Sequence, residues 1–465
     1  MRPVKGVPGV DFGVDDVRGS FPEELEIEPL SRPVDATVRV PGSKSITNRA
    51  LILAALADGT STIRNPLFSD DPYWLMAALA RLGFPVHADR AAGTLTITSN
   101  NHIIQNMGDP VVTGGEDEGG SEVFVGNAGT VARFLPPVLA LGRGRYLVDG
   151  VPRMRERPVS DLVEAMRGLG VGVAYVGEEG KFPIEVRGGG IGGGEVGVRG
   201  TESSQFLSGL LMAAPYASNE PVVLEVEGGL VSRPYVGITT SMMREFGVAV
   251  EEDEGGRFRV PRATYRAREY EVEPDASGAS YFLAAAAVTG GRVRVPGLGR
   301  GSSQGDVAFV EVLRRMGCDV EVGDRFIEVR GPRRLRGVEA DMNDISDTMI
   351  TLSAIAPFAE GPTTITNVAH ARLQETDRVS AVAAELARLG VGVEERRDGL
   401  RITPGSVTPG SVRTYGDHRM AMAFSLIGLV VPGIRIQDPA CVTKTLPDYF
   451  ERLTSLRETS GGHSG

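Results

Sequence analysis

The sequence predicts an α/β repeat protein of two domains, with small-residue-rich helices inside and sheets outside. Three observations lead there. First, an amphipathic helix that ends in a large apolar residue plus glycine, followed by a short β-branched strand, recurs with its glycine at Gly83, Gly170, Gly247, Gly317 and Gly390. Those glycines lie 87, 77, 70 and 73 residues apart, too far for a solenoid repeat and right for a βαβ-sized module. Second, another helix, apolar around its whole circumference, recurs in the same register. It follows Asn48, then Gly126–Thr130, Ser203–Gln205, Asp275–Ser277, Ser346–Thr348 and Gly416–His418. Such helices must be covered on all sides, which puts them inside. Third, 465 residues at 41% hydrophobic are enough for two cores.

Taken in order, residues 1–30 read as a disordered N-terminal extension. Met1 to Glu28 holds seven acidic residues from Asp11 onward and no apolar stretch of the signal-peptide kind. Crossovers near Pro41 and Pro274 divide the rest. One domain is expected over 42–273, with three repeat units. The other is expected over 31–41 plus 274–455, also with three, so that the chain begins and ends in the same domain. The five repeat glycines are expected at helix C′ positions, where left-handed backbone is required. Asn100 to Ser121, with Gly114–Gly120, reads as a solvated loop insertion in the second unit. Residues 456–465 read as a tail.

Composition narrows the function. A formal net charge of −11 and a pI near 5.2 argue against nucleic acid or an anionic membrane as partner. No apolar run is long enough to span a bilayer. Cys318 and Cys441 make no disulfide framework, and the five histidines show no metal-ligand spacing. A reduced, cytoplasmic enzyme without a metal is expected. Against this acidic background, local cations stand out. Pro41 to Arg49, Pro-Gly-Ser-Lys-Ser-Ile-Thr-Asn-Arg, runs into an apolar helix and reads as an anion site, with capping side chains, free N–H groups and two full charges. Only four lysines occur, Lys5, Lys44, Lys181 and Lys444, so a Lys at 44 implies a compact, mobile donor. The spacing is not that of a Walker loop. The alternative is an ordinary helix start with a surface Lys.

Further polar clusters are read as lying just before or inside the inner helices. They are Asn127 to Thr130 with Arg133, Arg153 to Arg157, Ser203-Ser204-Gln205, Ser232 to Tyr235, Asp347, Glu375 to Arg378, Asp417-His418-Arg419, and Lys444. Symmetric packing would gather them into one cationic cleft suited to one or two phosphorylated small molecules. Each also has a structural reading: Ser203-Ser204 as a helix cap, Glu375 and Asp377 as partners of Arg372 and Arg378, and His418 as a satisfied supporting residue.

In order, the motifs Pro-Gly-Ser-Lys-Ser-x-Thr-Asn-Arg (41–49), Gly-Asn-Ala-Gly-Thr (126–130), Arg-Met-x-Glu-Arg-Pro (153–158), Ser-Ser-Gln-Phe-Leu (203–207), Glu-Thr-Asp-Arg (375–378), Asp-His-Arg-Met-Ala (417–421) and Lys-Thr-x-Pro-Asp-Tyr-Phe (444–450) resemble the 5-enolpyruvylshikimate-3-phosphate synthase family. The resemblance covers roughly Leu30 to Leu453. It implies a two-domain inside-out α/β barrel, each domain built of three βαβαββ units. It implies transfer of the enolpyruvyl group of phosphoenolpyruvate to the 5-hydroxyl of shikimate-3-phosphate in the shikimate pathway, by addition and then loss of phosphate. No metal or organic cofactor is implied, and a monomer is expected. The resemblance puts shikimate-3-phosphate on Ser203, Ser204 and Ser232, with Lys44, Ser45, Arg49, Gln205, Tyr235, Asp347, His370 and Gln374 around it. It puts phosphoenolpyruvate on Lys44, Gly129, Arg157, Gln205, Arg378, Arg419 and Lys444. Asp347 and Glu375 are the expected acid/base pair, with Lys44 assisting.

The same fold resemblance admits the UDP-N-acetylglucosamine enolpyruvyl transferases. Their reactive Cys would fall near Asn127 to Arg133, where this chain has none. A binding protein that has lost activity would keep the anion clusters and lose the carboxylates, but Asp347 and Glu375 are present. Binding of glyphosate in competition with phosphoenolpyruvate is expected, because Gly129 has no side chain to crowd a longer anion. Phe134 stands where the family often has Pro, so a shift of the helix carrying Thr130 is weighed against that. Gln374 and His370 stand where many members have Lys and Asn. The missing Lys is expected to weaken shikimate-3-phosphate binding unless Arg372 or a protonated His370 substitutes.

Overall fold

The computed structural model describes residues 21–107 and 121–459. Among the described residues the chain falls into two compact units, one within 44–272 and one of 21–43 together with 273–459.

The same sheet pattern is used in both. In the first unit, one sheet has strand order Glu269–Glu271, Gly59–Arg64, Thr94–Ser99, Val86–Asp89. A second has Ser121–Phe124, Arg145–Asp149, Ile184–Arg187, Gly172–Tyr175, and a third Gly194–Gly200, Val222–Leu230, Arg257–Val260, Glu251–Glu252. In each, the first pair is parallel and the other two pairs are antiparallel. A parallel pair cannot be joined by a tight turn, so a helix crosses over between its strands. In the second and third sheets these crossovers are the inner helices Gly129–Leu139 and Ser204–Ala213. In the first, the inner helix Lys44–Leu56 leads into Gly59–Arg64, whose parallel neighbour Glu269–Glu271 comes much later in the chain. All three helices are buried along nearly their whole length. Contacts join early turns of these helices. Asn48 Nδ2 donates to Thr130 Oγ1 (2.6 Å), and Arg49 Nη2 to Ser208 Oγ (3.3 Å).

The second unit repeats this with Asp35–Thr37, Arg292–Pro296, Phe326–Arg330 and Asp319–Val322, and with Glu339–Asp341, Thr363–Thr366, Gly399–Thr403 and Gly392–Arg396. Its inner helices are Ala276–Thr289, Met349–Ile355 and His418–Gly428. Two of them touch near their starts, Ser280 Oγ meeting Thr351 Oγ1 at 3.1 Å. Where the chain leaves this unit and returns, the two segments lie side by side: Ser43 N donates to Glu273 O and Asp275 N to Pro41 O, both at 2.8 Å.

The outer helices Asp70–Arg81, Ser160–Gly168, Pro234–Glu245, Phe309–Arg315 and Arg378–Arg388 end just before the five repeat glycines. All five have positive φ, from 79° at Gly390 to 100° at Gly317, the left-handed closure that glycine alone adopts freely.

Three expectations need correction. Residues 1–30 are not wholly a disordered extension. Glu24–Ile27 pairs antiparallel with Ile434–Gln437, which is parallel to Gly410–Val412. The last repeat thus takes its third strand from the start of the chain, because Ile27 fits over Gly428, where a Cβ would come within 2.4 Å of it. Residues 456–459 are not tail: the helix Tyr449–Thr459 continues through them and buries Leu456. The Asn100–Ser121 insertion opens with a helix, Asn101–Gln105, capped by the Asn100 side chain. Its Gly114–Gly120 stretch lies outside the described residues, as do 1–20 and 460–465.

Candidate active site

In the repeats, chemistry-bearing residues come after the carboxyl ends of the parallel strand pairs, the place where an α/β sheet leaves its loops free to bind. Gly200 pairs with Leu230, and within a few residues come Ser203-Ser204-Gln205 and Ser232. Phe124 pairs with Asp149 ahead of Gly129 and Arg157. Asp341 pairs with Thr366 ahead of Asp347 and the 370–375 turn, and Val412 with Ile436 ahead of Arg419 and Lys444.

In the first unit the Lys44 motif differs in one respect from its reading. The helix begins at Lys44 itself, so Ser45, Thr47, Asn48 and Arg49 form its first turns rather than a loop before it. Lys44 is buried, its Nζ 3.4 Å from Asp71 Oδ2 on the first turn of the next helix. Asp71 escaped the sequence reading; its signal is the Ser69-Asp70-Asp71 start of that helix. Arg49 is a strut: Nε donates to Thr239 Oγ1 (2.7 Å), Nη1 to Ser45 O (2.9 Å) and Nη2 to Tyr235 O (3.1 Å). Its guanidinium carbon stands 5.0 Å from the centre of the Phe134 ring. Burial pulls its pKa down to about 10, so it stays charged at neutral pH. Phe134 therefore has a use as the platform under Arg49, while Thr130 on the same helix holds Asn48.

Ser203 caps its helix, accepting from Gln205 N at 3.2 Å, and Ser204 is buried. Ser232, also buried, has φ 50°, and its carbonyl accepts from Tyr235 N. Three hydroxyls on adjoining strand ends, at a helix N-terminus, suit a phosphate. Gly129 opens its helix against the Arg157 side chain, where a Cβ would come within 2.8 Å of both Nη atoms. Arg133 holds this pair: Nη2 donates to Pro158 O (3.0 Å) and Nη1 to Met154 Sδ (3.2 Å).

In the second unit the expected residues form one ionic network. Arg378, fully buried, donates through Nε to Asp417 Oδ2 (2.8 Å), through Nη1 to Asp347 Oδ1 (3.1 Å) and through Nη2 to Glu375 Oε2 (2.8 Å). Burial works against its charge, but Asp417, Glu375 and Asp347 hold its pKa above the ordinary arginine value. Arg419 Nη2 donates to Asp347 Oδ2 (2.5 Å), and Lys444 Nζ to Glu375 Oε1 (2.9 Å). Each carboxylate of the expected acid/base pair is therefore gripped by two cations. Asp417 caps the helix that carries Arg419, accepting from Arg419 N at 2.9 Å. The structural reading of this stretch is also met: Asp377 pairs with Arg372 (2.9 Å) and caps the Arg378–Arg388 helix.

Neither substitute for a cation at 374 is at hand. Arg372 is committed elsewhere, to Asp377, Glu395 and the carbonyls of Arg396 and Arg397. Burial lowers the pKa of His370, an effect that Asp347 opposes and Arg378 adds to. Gln374 itself accepts a hydrogen bond from Arg378 through Oε1.

The sequence profile described as EPSP synthase (3-phosphoshikimate 1-carboxyvinyltransferase) matches residues 30–453. The 3-phosphoshikimate 1-carboxyvinyltransferase of Nostoc punctiforme is 50% identical over 440 residues, covering 94% of this chain and 100% of that protein. That of Ralstonia nicotianae is 47% identical over 441 residues, covering 92% and 98%. An EPSP synthase structure from Acinetobacter baumannii matches with a TM-score of 0.77 at 24% identity, over 93% of this chain and 98% of that one, a likeness of fold. With the profile spanning nearly every repeat and half of all residues shared along whole relatives, the chain belongs to the EPSP synthase (3-phosphoshikimate 1-carboxyvinyltransferase) family.

Proposed function

We propose that this protein transfers the 1-carboxyvinyl group of phosphoenolpyruvate to the 5-hydroxyl of shikimate-3-phosphate, releasing inorganic phosphate, as a transferase of the shikimate pathway to chorismate and the aromatic amino acids. It acts as a cytoplasmic monomer. The observation that carries the reading is the pair Asp347 and Glu375, each held between two cations that are themselves suited to anionic substrate groups.

Ser203, Ser204 and Ser232 hold the substrate phosphate, with Lys44, Ser45, Gln205 and Tyr235 near it and Arg49 bracing the helix beneath. Gly129, Arg157, Arg378, Arg419 and Lys444 take the phosphate and carboxylate of phosphoenolpyruvate. Asp347 accepts the 5-hydroxyl proton as the oxygen bonds to C2 of phosphoenolpyruvate. Glu375, assisted by Lys44, gives a proton to C3, turning the methylene into a methyl group. The C2–phosphate bond then breaks and a methyl proton returns to the protein, leaving the enol ether. Fixed cations beside both steps stabilise the charge that develops.

Running the reaction in D2O tests this directly. The methyl intermediate predicts deuterium at the vinyl carbon of the product, dependent on shikimate-3-phosphate. Product formed without deuterium would rule out the addition–elimination route.

A further inference from the structure

Between the strand Gly410–Val412 and the helix His418–Gly428 the chain reverses through Tyr415 (φ 56°) and Gly416 (φ 66°), two successive left-handed residues. Glycine takes that conformation freely, whereas tyrosine does so only when its surroundings compel it. The ring is not what compels it, being 44% exposed. The hydroxyl is anchored: Tyr415 OH donates to Glu385 Oε1 at 2.7 Å, and Arg413 N donates to Glu385 Oε2 at 3.0 Å.

Glu385 is wholly buried on the outer helix Arg378–Arg388, with Arg388 Nη1 at 3.0 Å as its counter-ion. A buried carboxylate must be hydrogen-bonded, and burying one is a poor way to gain stability when an apolar side chain would serve. This one spends its acceptors on two residues of the 413–416 loop. The other end of the same helix holds the loop's exit, Arg378 Nε bonding Asp417 Oδ2. One rigid helix therefore grips the loop before and after its left-handed turn. Two residues beyond Asp417 stands Arg419, placed by the Asp417 cap and pointed at Asp347 and at Tyr281 OH (3.3 Å).

We propose that Glu385 and Tyr415 are positioning residues for phosphoenolpyruvate: together they fix the turn that aims Arg419. This rests on the reading of Arg419 as a phosphoenolpyruvate ligand.

The test measures both Michaelis constants and the melting temperature in Tyr415→Phe, Glu385→Gln, the double variant and, as a control, Arg419→Lys. The phosphoenolpyruvate constant is expected to rise about fivefold in each single variant, with that for shikimate-3-phosphate within twofold of the parent. The double variant should be no worse than the worse single one, since both remove one contact. Should Glu385→Gln not fold, the exposed Tyr415→Phe carries the test alone. A merely structural anchor would lower the melting temperature and move both constants alike or neither, and either result overturns the proposal. A raised phosphoenolpyruvate constant in Arg419→Lys with an unchanged one in Tyr415→Phe overturns the positioning role by itself. An unchanged constant in Arg419→Lys overturns the assignment of Arg419, and the inference with it.

Discussion

Substituting Gly129 by Ala adds a single methyl group, and the structure says what that methyl meets. The new Cβ would lie 2.8 Å from Nη1 and Nη2 of Arg157 and 3.1 Å from its Cζ. Ordinary contact needs ~3.5 Å, so the guanidinium must retreat by about 0.7 Å. The backbone has no cause to resist: Gly129 is not among the positive-φ residues, and alanine is the better helix former. Stability should therefore hold while the anion site changes. A charge-assisted hydrogen bond is worth about 1.5–3 kcal/mol, and a tenfold change in binding corresponds to about 1.4 kcal/mol. Partial loss at Arg157 then predicts a rise of about tenfold in the phosphoenolpyruvate constant. Glyphosate, a longer anion competing for the same place, should lose a larger factor. Steady-state kinetics at saturating shikimate-3-phosphate, with glyphosate titrated at several phosphoenolpyruvate concentrations, reads both. A phosphoenolpyruvate constant within twofold of the parent, with glyphosate inhibition also unchanged, would refute the claim that Gly129 exists to let Arg157 approach.

Other consequences can be checked alongside. Glu375→Gln keeps the shape of the site but cannot deliver a proton, so kcat should fall by about 10²–10⁴-fold while shikimate-3-phosphate binding, read by calorimetry, stays within threefold; a kcat loss under tenfold would remove Glu375 as the acid. With Arg372 committed and the His370 pKa lowered by burial, neither of these two supplies the charge missing at 374. Gln374→Lys should then lower the shikimate-3-phosphate constant about fivefold, somewhat less than a free cation would give because the new ammonium lies beside Arg378; an unchanged or raised constant contradicts this. His370 also sets a pH dependence. Its folded pKa is depressed below the unfolded value of about 6.5, so the unfolded chain binds the proton first and stability is lost as pH falls below about 6.5. Urea melts of His370→Gln against the parent between pH 5 and 7.5 should show a shallower acid-side loss in the variant, and identical slopes would contradict the buried, neutral form.

Much of this architecture could be read from the sequence because its causes are local. A helix that must stop before a strand needs a left-handed residue, and Gly83, Gly170, Gly247, Gly317 and Gly390 supply it. Asp275, Ser203 and Asp417 cap inner helices where short polar residues precede apolar runs. The parts that escaped depend on partners far away in the chain. The strand Glu24–Ile27 has little local signal and exists because Ile434–Gln437 offers an edge. The sequence offered Arg378 only near neighbours such as Glu375 and Asp377 as partners, yet Arg378 also meets Asp347 and Asp417 across 31 and 39 residues, and Lys444 meets Glu375 across 69. Nothing in the sequence singles out Glu385; only the fold brings Arg413 and Tyr415 over it.

The central claim is that phosphoenolpyruvate releases its phosphate here only when its carboxyvinyl group is transferred to the 5-hydroxyl of shikimate-3-phosphate. Release of inorganic phosphate from phosphoenolpyruvate, measured with and without shikimate-3-phosphate and with UDP-N-acetylglucosamine in its place, tests this most directly. The account predicts release that requires shikimate-3-phosphate and matches the enol ether formed mole for mole. Release without it, release driven by UDP-N-acetylglucosamine, or none with shikimate-3-phosphate present would contradict it.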